Sequence, residues 1–174
     1  MSIYRLGNRA PSIAADAFIA PGAQIIGDVT IGAGSSIWFN CVLRGDAPGI
    51  RIGARTNIQD GTIIHITTPN SGTTIGDDVL VGHQAIIHAC TLESHAFVGM
   101  GAIVLDDAVI EGDAMLGAGS LLGPGKRIPR GQLWLGRPAK YVRDLTEQDI
   151  AYNRLGVQHY THLAQYYRQE LAPL

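Results

Sequence analysis

Three histidines hold the clearest chemical signal in this sequence. His83 and His88 stand five residues apart in Val81-Gly-His83-Gln-Ala-Ile-Ile-His88, and His65 closes Thr62-Ile-Ile-His65 upstream. Neutral imidazoles are common metal ligands, and three of them on a tetrahedral zinc leave one position for water, the arrangement of a catalytic ion. Such an ion lowers the pKa of its water towards neutrality and supplies hydroxide as a nucleophile. The other histidines, His95, His159 and His162, are read as ordinary surface side chains, and the isolated Cys41 and Cys90 as small buried residues.

Whether the three imidazoles can meet depends on the elements that carry them. Twenty-two glycines are interleaved with aliphatic residues at a fixed period. Six-residue steps link Ile13, Ile19, Ile25, Ile31, Ile37 and Leu43, then Ile52, Ile58 and Ile64, then Ile75, Val81 and Ile87, then Leu92, Val98, Val104, Ile110, Leu116, Leu122 and Ile128. A period of six does not match a helical face, and the β-branched enrichment favours strand. A parallel β-helix over about residues 11–128 answers this pattern, each repeat forming one face and stacking its aliphatic residue on the coil below. Three faces per coil and a left-handed path are what known hexapeptide-repeat proteins imply. Glycine after many of the aliphatic residues is expected to allow tight corners. The frame breaks at Leu43 to Ile52 (nine residues), Ile64 to Ile75 (eleven) and Ile87 to Leu92 (five). The first two breaks hold Asp46-Ala-Pro-Gly49 and Thr67-Thr-Pro-Asn-Ser-Gly72, expected as inserted loops where function lies.

The repeat serves as a ruler. If Ile64, Ile75, Val81 and Ile87 are successive faces, Ile64 and Ile87 are one coil apart and His65 and His88 stack on one face, with Arg44 a coil below. His83 falls on the neighbouring face, above Asp60. A face of six residues is on the order of 15–20 Å wide, whereas zinc–nitrogen bonds are about 2.0–2.1 Å. One chain therefore does not bring His83 to the other two, but three copies around a threefold axis do. The register predicts a homotrimer with metal sites between subunits.

Residues 129–145 are expected as an irregular return, followed by an amphipathic helix over 146–171 capped by Thr146, with a possible bend at Gly156. The whole of 1–174 reads as a single domain. Charged residues are few and dispersed, and the net charge is −2, which argues against nucleic acid as a partner. The N-terminus lacks a secretory pattern and no apolar run suits a bilayer, so a cytoplasmic protein without a membrane partner is expected.

At Leu43-Arg44-Gly45-Asp46, Asn57-Ile-Gln59-Asp60-Gly61, His65, Gly82-His83-x4-His88, Val98-Gly-Met-Gly101 and Gly136-Arg-Pro-Ala-Lys140 the sequence resembles the gamma-class carbonic anhydrase family over nearly its whole length. The resemblance implies a homotrimeric lyase that hydrates CO2 to bicarbonate with Zn2+, or Fe2+ or Co2+ in some members. It implies His65 and His88 as ligands from one subunit and His83 from its neighbour. Arg44 and Asp46 would pair across the interface, Gln59 would orient hydroxide or bicarbonate with Asn57 and Asp60 supporting it, and Tyr160 would sit over the metal. The lowered pKa of metal-bound water is itself best known from a carbonic anhydrase, and comes with the resemblance. The sequence departs from the best-studied branch: Ala47-Pro48 follows Asp46, and the loop after His65 has no carboxylate. Regenerating the nucleophile needs a proton acceptor, so the alternatives are a metal-dependent acyl-CoA thioesterase, a hexapeptide acyltransferase using one histidine as base, and a non-catalytic metal-binding trimer.

Overall fold

The computed structural model describes residues 2–173. Strands of two or three residues, far too short to persist alone, gain stability by stacking coil on coil. They build a left-handed parallel β-helix of about seven turns with one C-terminal helix. A 12-stranded sheet wraps two faces and an 8-stranded sheet forms the third. Ile25, Leu43, Ile64, Ile87, Val104 and Leu122 form one stack of neighbours, with Ile31 to Ile128 and Ile37 to Leu116 forming the stacks on the other faces. These columns meet inside as a single apolar core. Buried hydroxyls tie the coils at the corners: Thr62 Oγ1 donates to Gly82 O and accepts from Ala85 N, while Thr56 Oγ1 does the same with Gly76 O and Val79 N.

Several expectations change. The glycines after the aliphatic residues are not the corner-makers. A Cβ at Gly82 would come within 2.6 Å of Met100 N, so this glycine is required by the close approach of the next coil. The left-handed corner positions fall instead on residues such as Asn40, Asp78, Gln84, Asp107 and Asp113. Asp46–Gly49 is not a separate loop: it lies inside the strand Val42–Ile52, as a bulge. There Gly27 faces Gly45 and Val29 faces Ile50, so the inserted residues stand opposite Asp28. Thr67–Gly72 does leave the coil, closed by an antiparallel bridge between Thr67 and Ser71.

The predicted irregular return at 129–145 is a β-hairpin. Gln132–Gly136 continues the 8-stranded sheet above Met115–Leu116 and turns back into Ala139–Asp144. Trp134 replaces the aliphatic residue there and packs on the last rung, which is why the six-residue pattern stops while the sheet does not. The helix runs Glu147–Glu170, opened by a capping box between Thr146 and Asp149, and Leu171 lies just past its end. Gly156 marks no break in it. The missing side chain lets the helix approach the sheet, since a Cβ there would sit 3.2 Å from Leu80 Cδ1. Val157 and Ala164 bury the helix against the 8-stranded sheet, and Trp38 stacks edge-on with Phe18, Tyr160 and Tyr167 at 5.2–5.5 Å.

Two outcomes follow for solution measurements. Ile110→Ala, in the fully buried column opposite the histidines, should cost about 2–5 kcal/mol in urea unfolding, and the outward Val109→Ala much less. Burial pushes the Cys41 and Cys90 thiols up to about 12, so neither should react with a thiol reagent at mildly alkaline pH until the protein is unfolded.

Candidate metal centre

The strands Ile63–His65 and Ile86–His88 pair in register, His65 beside His88. Their inner neighbours Ile64 and Ile87 are fully buried, so both imidazoles are forced outward on the same face. His65 Nδ1 lies 3.2 Å from His88 Nε2. The remaining nitrogens are each occupied by a carboxylate: His65 Nε2 is 2.9 Å from Asp46 Oδ2, and His88 Nδ1 is 3.1 Å from Asp106 Oδ2. A carboxylate accepts, so each neutral ring carries its proton on the carboxylate side. Two lone pairs are then left facing one another, an arrangement that is repulsive unless a cation sits with them. Two nitrogens bound at about 2.0–2.1 Å to a tetrahedral ion stand roughly 3.3 Å apart. The donor pair therefore fits zinc or a similar divalent ion.

His83 follows the strand Leu80–Val81, on the 8-stranded sheet and hence on a different face. Its Nδ1 lies 2.8 Å from Asp60 Oδ2, the residue the register places below it, which reserves Nε2 for another partner. No group of three potential ligands forms within one chain among the described residues. Each of the three histidines thus has an aspartate on one nitrogen and a free nitrogen on the other.

Gln59 and Asn57 are buried, and Gln59 Nε2 donates to Asn57 Oδ1 at 3.1 Å. This bond fixes the amide so that Gln59 Oε1 is the atom left to the cleft beside it. That cleft, about 600 Å³ and largely apolar, is lined by Gln59, His83, Met100, Tyr152, His159 and Tyr160. Burial first and nearby Asp60 second raise the Tyr160 hydroxyl pKa, so it stays a proton donor. Arg44 pairs with Asp46 within the same chain, joining His65 through a shared carboxylate oxygen. His159 is exposed and lines this cleft beside Tyr160. His95 has a buried Nδ1 with no hydrogen-bond partner among the described residues.

Asp106 is the site residue that the sequence reading missed. One more turn of the same ruler pairs Val104 with Ile87 and carries Asp106 over the end of His88. The Thr67 hydroxyl donates to Asp106 Oδ1, and Ser71 Oγ donates to Asp107 Oδ1 at 2.7 Å. The loop that lacks its own carboxylate is thereby held by two from the second coil above it. The Thr67 hydrogen bond, and after it the His88 contact, hold the Asp106 carboxyl below the ordinary aspartate value.

The two histidine-bearing faces also differ in shape. Val42, Ile63, Ile86, Ile103 and Leu121 form an outward aliphatic ridge beside His65 and His88, with Ile63 and Ile86 46% and 38% exposed. The cleft beside His83 is an apolar hollow.

Comparison with known proteins places the molecule. A family profile described as bacterial transferase hexapeptide (six repeats) matches residues 10–45. The chain is 50% identical over 167 residues to a carbonic anhydrase of Geobacillus kaustophilus, covering 95% of this chain and 91% of that one. It is 51% identical over 174 residues to gamma carbonic anhydrase 2, mitochondrial, of Arabidopsis thaliana, covering 97% of this chain but 63% of the relative, so it spans less than two thirds of that plant protein. A Bacillus cereus structure described as a putative acetyltransferase superposes with a TM-score of 0.96 at 44% identity, each chain covered to 98%. No helix among the described residues is long and apolar enough to cross a membrane. The share and extent of these identities mean that the chain belongs to the gamma carbonic anhydrase family.

Proposed function

We propose that the protein is a metal-dependent carbonic anhydrase that hydrates CO2 to bicarbonate as a homotrimer, at sites shared between subunits. The observation that carries this reading is the pair of facing imidazole nitrogens 3.2 Å apart, each ring oriented by its own aspartate. His65 and His88 of one subunit and His83 of the next would hold Zn2+, with Fe2+ or Co2+ as alternatives. The ion supplies a Lewis acid that makes water nucleophilic at neutral pH. The protein's residues do the rest. Asp46, Asp106 and Asp60 hold the ring protons outward, Gln59 offers an acceptor oxygen to a water or a bicarbonate hydroxyl, and Tyr160 offers a proton at its hydroxyl.

The aliphatic ridge and the apolar hollow support the trimer, because a ridge-to-hollow contact joins unlike faces and closes into a ring on a three-sided prism. Arg44 at the ridge edge would then also reach the neighbour. With the Asp106 carboxyl held below the ordinary aspartate value, and so a weak base, and no carboxylate in the 67–72 loop, solution buffer would be the proton acceptor. A second reading, acyl transfer or acyl-CoA hydrolysis in the cleft, is favoured by its volume of about 600 Å³, which exceeds what CO2 needs, and by the description of the Bacillus cereus structure.

Metal analysis should find one divalent ion per chain. Stopped-flow CO2 hydration should be present and rise with buffer concentration. His88→Ala should weaken zinc binding more than about a hundredfold, beyond the loss typical of an outer hydrogen-bond partner, and abolish hydration. Metal-free protein that hydrolyses or transfers acyl groups from acyl-CoA would favour the second reading. Mixing His83→Ala chains with His65→Ala, His88→Ala chains should restore a fraction of the zinc sites, since some contacts in a mixed ring join an intact ridge to an intact hollow. Recovery of none, with mixing verified by mass, contradicts shared sites.

A further inference from the structure

Asp106 is placed to do two things that no residue of the histidine motif can do. It stands at the corner between the strands Ile103–Val104 and Val109–Ile110, anchored through its carbonyl by Gly125 N at 2.8 Å. From this fixed point one carboxylate oxygen meets His88 Nδ1 at 3.1 Å and the other accepts from the Thr67 hydroxyl. Next to it Asp107, anchored by its own N–H to Ala89 O at 2.8 Å, takes the Ser71 hydroxyl at 2.7 Å. The 67–72 excursion begins two residues after His65, so Asp106 ties one imidazole to the loop that leaves the other.

Among the described residues no other group hydrogen-bonds to His88 Nδ1. Without an acceptor there, the ring loses the reason to keep its proton on Nδ1. If the proton moves to Nε2, the nitrogen facing His65 becomes a donor and cannot bind an ion. Asp46 plays the matching part for His65, but it is shared with Arg44, whereas among the described residues no lysine or arginine pairs with Asp106.

We propose that Asp106 is a positioning residue for the metal centre: it selects the His88 tautomer whose Nε2 faces His65, and through Thr67 it fixes the loop at the rim of the site. The proposal rests on the metal-centre reading above, and its test separates the two. Histidine-labelled, metal-free trimer is observed by imidazole 15N NMR, and zinc affinity is measured by competition with a chromophoric chelator. In the wild type His88 should show a protonated Nδ1. Asp106→Ala should lose that single form and bind zinc roughly tenfold to a hundredfold more weakly. Asp106→Asn keeps an acceptor oxygen at nearly the same place and should restore the tautomer and most of the affinity. Thr67→Val should leave both near wild type while loosening the loop, seen as faster amide exchange at residues 67–72. Asp106→Ala with His88 still protonated on Nδ1 and zinc affinity within about twofold of wild type would overturn the proposal. If the wild type binds no zinc, the functional reading fails, and the tautomer in the metal-free protein still decides the role of Asp106.

Discussion

The stacking of one aliphatic residue on another, coil after coil, is the constraint from which the rest of this molecule follows. Leu43, Ile64 and Ile87 are each fully buried and sit one above the next. A slip of one residue in any coil would turn its aliphatic side chain out of the core, at roughly 1.5–3 kcal/mol for each residue exposed. The register is therefore fixed more firmly than any surface contact could fix it. Because His65 and His88 each follow a column residue, their separation is inherited from the strand spacing and needs no dedicated framework. The same register puts Asp60 under His83 and Asp106 beside His88.

What the columns cannot set is which nitrogen of each ring points where, and that falls to three aspartates. Each contacts one imidazole nitrogen, at 2.9 Å, 3.1 Å and 2.8 Å for Asp46, Asp106 and Asp60. Partly exposed polar contacts of this kind add little to stability. Their effect is on tautomer and direction, which decide whether the three free nitrogens can share an ion. Division of the ligands between two faces makes a single chain incomplete, and makes assembly and metal binding one event in the proposed trimer.

The coil was legible because a period of six is incompatible with a helical face, and the stacking of His65 on His88 could be counted along the sequence. The Thr146 cap was legible for a similar reason, since a capping box is a local pattern of four residues. Other features were hidden because they are not local. The glycine at 82 is explained by Met100 of the next coil, and the one at 156 by Leu80 across the helix–sheet contact. The strand Gln132–Gly136 broke the aliphatic pattern by using Trp134, and two glycines around it resemble loop chemistry. Asp106 was hidden because its partners are His88 in the coil before it and Thr67 in the coil before that, on an excursion whose path the six-residue period does not give. The 67–72 loop is explained at a distance in the same way, since the carboxylates that hold it come from two coils further on.

In the proposed trimer the facing nitrogens on one subunit and His83 on the next form one site. Anomalous diffraction at the zinc edge, from crystals of the trimer grown with zinc, tests it most directly. The account predicts a single strong peak per chain within bonding distance of His65, His88 and the partner subunit's His83. A peak held by His65 and His88 with His83 far away, or no peak at the pair at all, would contradict it.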